Sequence, residues 1–286
     1  MNRTWIACLI LSMAAACTRQ AARETPSVGS PGPTGHTSPE AAEKATAQLA
    51  QATHAPPPEL LPVAPEVVAH GPRDRKRVAL TFDACSTRDV SKYDERITRE
   101  LIASRTPATI FLSGSWAKEE AEHVNALARN PLFELANHSY THPHMAAIAD
   151  EVRIRRELQR TQAEIHTLTG VTPRFFRPPY GEYDDRLVRI AAELGLTTVE
   201  YDLASGDPDQ HATKEQLIHW VLSKAQPGSI IVMHINHRRF HTAEALPAII
   251  DGLRARGFEL VTVGQLLEDS HRHESPTEIS SQAERR

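Results

Sequence analysis

Between Arg77 and Glu268 the chain switches repeatedly between two hydrophobic periods, and this alternation restricts the fold more than any other feature. Short apolar runs stand at 78–82, 108–112, 132–136, 174–176, 197–201, 229–234 and 258–261. Between them lie stretches of helical spacing, at 93–104, 116–129, 150–169, 184–194, 213–224 and 242–256. In the first of these, Ile97, Leu101 and Ile102 share one face, and Gly170 and Gly195 stand where later helices must stop. A strand, a helix and another strand in succession join parallel strands, because the crossover needs a helix's length. The predicted fold class is therefore α/β, a distorted (β/α) barrel with about seven parallel strands.

Outside this region the texture changes. Arg3 precedes a short apolar run from Trp5 to Ala16, too short to span a bilayer but suited to an export signal over 1–17. Ala14-Ala15-Ala16-Cys17 resembles a lipoprotein cleavage site, with Ala14 where leucine is usual. Ordinary cleavage, giving a soluble periplasmic protein, is the alternative. Residues 18–72, rich in Ala, Pro, Thr, Ser and Gly, are predicted to be a disordered linker. Residues 73–269 form the expected folded domain and 270–286 a polar tail. The mature protein is expected in the periplasm or cell envelope, touching a membrane only through a lipid on Cys17. A net charge of −4 gives no basic field for nucleic acid. With Cys8 and Cys17 in the export segment, Cys85 is left alone in the domain, and packing must hold the fold.

In parallel barrels the chemistry gathers at the C-terminal ends of the strands. There this chain has Asp83, then His138 and His142, then Arg177-Pro178-Pro179-Tyr180-Gly181, then Asp202 and Asp207, then His234. Two histidines four apart face one way on a helical turn and can share a metal, although 15 histidines make chance pairs easy. An Asp at a strand end serves as general base or as helix cap. His234 after an apolar run reads equally as a core histidine. Arg177 reads equally as a loop arginine, but the prolines after it stiffen a backbone that could present an N–H to an anion.

Together these residues resemble the polysaccharide deacetylase family, the NodB-homology carbohydrate esterases. Five family motifs occur in family order: Thr81-Phe82-Asp83-Ala84, His138-Ser139-Tyr140-Thr141-His142, Arg177-Pro178-Pro179-Tyr180-Gly181, Asp207 in Ser205-Gly206-Asp207, and Ile231-Val232-Met233-His234. The resemblance implies a NodB-type barrel that hydrolyses N-acetyl groups on amino sugars of a polysaccharide. It implies a divalent metal, expected to be zinc, on His138 and His142. Asp83 would be the general base, His234 the general acid and the Tyr180 N–H an oxyanion donor. Arg177 would keep Asp83 ionised, and Asp207 would orient Arg177.

One position departs from the family pattern. The usual metal aspartate after Asp83 is Ala84, so the metal either keeps the two histidines with waters or takes an oxygen from Asp83, Asp89 or Asp94. Cys85 reads as a small buried thiol, with soft metal ligand as its alternative. Trp116 and Tyr183 read either as a sugar cleft or as packing. The expected partner is an acetylated polysaccharide, and no protein partner is evident. The competing functions are an inactive sugar-binding protein of the same fold and an allantoinase-like hydrolase of small amides.

Overall fold

The computed structural model describes residues 56–86, 92–209 and 211–272. The predicted export signal, the linker up to residue 55, Asp89 and the tail from 273 lie outside the described residues.

The strands are β1 (Val67–Val68), β2 (Arg77–Ala84), β3 (Ala108–Leu112), β4 (Phe133–Asn137), β5 (Phe175–Phe176), β6 (Thr197–Val199), β7 (Leu203–Ala204), β8 (Ile230–His234) and β9 (Glu259–Val261). They form one curled sheet in the order β1-β6-β5-β4-β3-β2-β8-β7, and every paired neighbour is parallel. β9 pairs with the start of β2, opposite β8, since Ala79 has partners in both. The helices are α1 (Glu95–Ala103), α2 (Gly114–Glu119), α3 (Ala121–Ala128), α4 (Glu151–Thr169), α5 (Asp185–Glu193), α6 (Lys214–Lys224), α7 (Thr242–Ala255) and α8 (Val263–Arg272). None among the described residues is long and apolar enough to cross a membrane.

All seven predicted strands are present, in the predicted parallel arrangement. β1 and β7 are additional, each only two residues long and so without a periodic signal. The predicted helix at 116–129 is two helices, because the backbone breaks helical geometry at Glu120 (φ −105°, ψ 33°). α8 was not anticipated.

The linker reading is corrected over its last residues. Val67 and Val68 add an edge strand to β6, and the Val63 N–H donates to the Ala192 carbonyl at 3.0 Å. The apolar Val-Val pair extends the sheet here, which a Pro-rich composition concealed. Gly195 permits the approach: its φ is +73°, and a Cβ there would stand 2.3 Å from Leu60 Cβ.

Period-two alternation sorts β2 into two faces. Val78, Leu80, Phe82 and Ala84 enter the core with Ile97, Leu101, Trp116 and Ile249, outside the sheet. Ala79 joins Phe111, Val199 and Ile230 inside the curl. Thr81 and Asp83 share that inner face. The register then sets Asp83 beside His234 of β8.

Candidate active site

Arg177, 1% exposed, is the structural centre of the site. Its guanidinium donates to Asp83 Oδ1 at 2.7 Å, to Thr81 Oγ1 at 2.9 Å, and to the Val199 and Glu200 carbonyls at 3.3 Å. It also lies over the Phe111 ring, 3.9 Å from the centroid. Burial pushes the Asp83 carboxyl up, but Arg177, His138 and His234 outweigh it and hold its pKa below the usual value. Asp83 is thus an ionised carboxylate at neutral pH.

His138 follows β4. Its Nδ1 stands 2.8 Å from the Arg177 carbonyl. A carbonyl only accepts, so Nδ1 carries a proton, and in the neutral ring Nε2 is the nitrogen left to bind a metal in the cleft. Nε2 lies 3.6 Å from Cys85 Sγ and 3.8 Å from Asp83 Oδ2. The His142 ring is 4.9 Å from that of His138. Donor atoms of Cys85, His138 and His142 all fall within 4.8 Å of one another, and all three residues are buried. This donor set fits a divalent metal. Asp94 is not part of it: that carboxylate caps α1 and pairs with Arg96 at 2.7 Å.

The histidines are not on a helical turn as expected. They sit on an irregular loop in which Ser139 and His142 have φ of 60° and 56°. Among the described residues four non-glycine positions have positive φ, and Tyr180 is a third in this site. Such backbone persists only when held. Glu157 of α4 accepts from the Tyr140 and Thr141 N–H groups at 2.9 and 2.7 Å, and from the Thr141 hydroxyl at 2.9 Å. Asn137 Oδ1 accepts from the Ser139 N–H at 3.0 Å.

Asp207 lies against His234 instead of Arg177, which corrects the expected pairing. Its Oδ1 is 3.0 Å from His234 Nδ1, and its Oδ2 accepts from the His234 N–H and the Thr242 hydroxyl, both at 2.7 Å. Burial disfavours charge on His234, but the Asp207 carboxylate outweighs it and raises the imidazole pKa well above its usual value. Asp202 faces away, accepting from Ser229, the Ile230 N–H and Arg73.

These groups line a cleft of about 390 Å³. Tyr180, half exposed, stacks on His144 at its rim (4.1 Å, 12°). Tyr180 lies in the first turn of the 3₁₀ helix Pro179–Gly181, where N–H groups have no partner inside the helix. Trp116 is core, 1% exposed, which settles it as packing, whereas Tyr183 is 47% exposed. A larger cavity of about 580 Å³ adjoins Leu60, Val68 and Arg174, near the N-terminal ends of β5 and β6, away from this chemistry. Sequence reasoning missed Glu157 and Glu200. Glu200 is buried beside Arg177, its Oε1 has no hydrogen-bond partner, and burial, with the Asp83 charge adding and Arg177 opposing, pushes its pKa up to about 7.

An ionised base and a carboxylate-backed histidine flank donors for a divalent metal at the strand ends of a parallel barrel. That combination defines a class, barrels equipped to hydrolyse an acyl group. Residues 70–199 match the family model for polysaccharide deacetylase, and the chain belongs to that family. It is 31% identical to an uncharacterized protein of Bacillus subtilis, YlxY, over 72% of this chain and 62% of that protein. It is 29% identical to a peptidoglycan-N-acetylglucosamine deacetylase of Bacillus cereus, over 70% of this chain and 71% of the relative. Among solved structures, a CE4 family pseudoenzyme from Bacillus anthracis superimposes with a TM-score of 0.66 at 30% identity, covering 72% of this chain and 70% of that one. A mutant of that pseudoenzyme is described as having restored enzymatic activity, and matches at 31% identity and a TM-score of 0.65, over 72% of this chain and 73% of the mutant.

Proposed function

We propose that the protein is a metal-dependent hydrolase that removes N-acetyl groups from N-acetylglucosamine-type units of a cell-envelope polysaccharide, peptidoglycan or chitooligosaccharide. The observation that carries this reading is the Asp83–His234 register pair, a carboxylate held ionised and an imidazole held protonated, facing one cleft beside the metal donors. The likeness to the Bacillus cereus peptidoglycan-N-acetylglucosamine deacetylase supports it.

His138 and His142 would hold the metal, which when bound polarises the acetyl carbonyl and acidifies water. Asp83 takes the proton from the attacking water, and Arg177 keeps that carboxylate charged between turnovers. As water adds to the carbonyl carbon, negative charge develops on its oxygen, where the Tyr180 N–H stabilises it. The C–N bond then breaks as His234 passes its proton to the leaving amine. Acetic acid, which ionises to acetate, and a free amino sugar result; Asp83 returns its proton to solvent and His234 takes one up, restoring the site. Asp207 steadies His234 through both steps.

Acetate release from peptidoglycan, chitin oligomers and acetylated xylan, with and without chelator, tests the proposal. Release that is lost in Asp83→Asn and in chelator supports it, and no release from any acetylated amino sugar overturns it. The kinship with the Bacillus anthracis pseudoenzyme, together with Ala84, favours a second reading, a sugar-binding protein without turnover. The same assay separates the two. The proposal also places the protein in the periplasm or envelope, anchored through Cys17. Fractionation with labelled palmitate, comparing wild type with Cys17→Ala, tests that.

A further inference from the structure

We propose that Cys85 is the third protein ligand of the metal site, so that a thiolate replaces the carboxylate which Ala84 cannot supply. The inference rests on the metal-dependent reading above and names the chemistry of that site.

Strand geometry carries the first part. Side chains alternate along β2, and Ala84 points outward into the core with Phe82, fully buried among apolar groups. The residue that rejoins Asp83 on the inner face is Cys85, two positions on. Asn236 Nδ2 donates to the Cys85 carbonyl at 2.8 Å and fixes the chain just past the strand end.

Distances carry the second. On a four-coordinate zinc, a thiolate bonded at about 2.3 Å and an imidazole at about 2.05 Å stand roughly 3.6 Å apart. Cys85 Sγ and His138 Nε2 are 3.6 Å apart. The carbonyl on His138 Nδ1 leaves Nε2 as the free donor, the outer hydrogen bond that orients metal-bound histidines generally.

Of the oxygen donors expected from the sequence, Asp94 and one oxygen of Asp83 are committed elsewhere, and Asp89 lies outside the described residues. Asp94 caps α1, and Asp83 gives Oδ1 to Arg177. A Cys/His/His set keeps the single negative charge of an Asp/His/His set but is softer. It selects zinc or cobalt(II) over magnesium or manganese(II).

The test uses the full chain, stripped by chelator and loaded with cobalt(II). The expected result is a thiolate-to-cobalt charge-transfer band in the near ultraviolet. Cys85→Ala should lose the band and should weaken zinc binding by more than about 100-fold. Cys85→Asp should recover zinc binding without the band, and far-ultraviolet circular dichroism checks that both variants fold. Cobalt bound without the band, no cobalt bound, or zinc affinity unchanged in Cys85→Ala would each overturn the ligand assignment. The two readings fail separately. A band without acetate release defeats the deacetylase reading alone, and chelator-sensitive acetate release without a band defeats the cysteine ligand alone.

Discussion

Asp207 grips His234 at two points, ring nitrogen and backbone N–H, at 3.0 and 2.7 Å, while Arg177 gives four hydrogen bonds to Asp83, Thr81 and two carbonyls. The site therefore contains two charge pairs with separate hydrogen bonds: an arginine–carboxylate pair that supplies the base, and a carboxylate–histidine pair that supplies the acid. Asp207→Asn should lower kcat by about 100- to 10,000-fold, the usual contribution of a positioned acid. KM should change little, because Asp207 is 2% exposed and set behind His234. Steady-state kinetics on an N-acetylated oligosaccharide separate the two parameters. A fall confined to KM would contradict the assignment.

Glu157 should be as important to metal binding as a ligand's own support, although it lies on α4 and touches no donor atom. It receives three hydrogen bonds from Tyr140 and Thr141, within the loop whose ends are His138 and His142. Glu157→Ala frees that loop from its left-handed turns and should weaken zinc about 10- to 100-fold, measured by chelator competition. Leaving the buried Tyr140 N–H unpaired should also cost about 1–3 kcal/mol in urea unfolding. Glu157→Gln retains an acceptor oxygen and should fall between.

How much of this was legible in the sequence follows from the range of each interaction. Strands such as Val78–Phe82 and Ala108–Leu112 announce themselves because burial imposes a local apolar run. β1 and β7, at two residues each, are too short to do so. Asp83, His138, His142, Arg177 and His234 are visible by motif and position. The Asp207–His234 pairing is not, since nothing local distinguishes an aspartate that turns toward a histidine from one that turns toward an arginine. Glu157 looks, on its helix, like any solvated acid. Cys85 did leave a signal: Thr81, Asp83 and Cys85 are spaced by two, and the alternation that aims Asp83 inward continues to the thiol.

The ordered stretch before residue 73 should contribute measurably to stability. Besides the β1–β6 pairing, the Gly71 N–H donates to the Gly228 carbonyl at 2.8 Å, and Val68 accepts from the Glu200 N–H at 2.9 Å. Removing β1 bares the edge of β6, the strand that leads into Glu200. A chain beginning at residue 73 should melt roughly 4–8 °C below one beginning at residue 56, the equivalent of about 2 kcal/mol. Calorimetry on the two truncations checks this, and equal melting temperatures would count against the packing seen here.

Glu200 should be a liability to the fold at alkaline pH. Its carboxyl is buried next to Arg177, yet Arg177 donates to the Glu200 carbonyl and to Asp83, not to the Glu200 side chain. Burial therefore dominates, and the pKa rises to about 7 from an ordinary 4.5. The folded state holds the proton more tightly than the unfolded state. Stability from this group is present below pH 4.5 and lost as pH rises through about 7, by up to about 3 kcal/mol. Glu200→Gln does not titrate. The variant should match wild type in urea unfolding near pH 4.5 and exceed it by up to about 3 kcal/mol at pH 8, with all other ionisations common to both. A difference that stays constant between those pH values would show that the carboxyl is charged throughout and that Arg177 neutralises it.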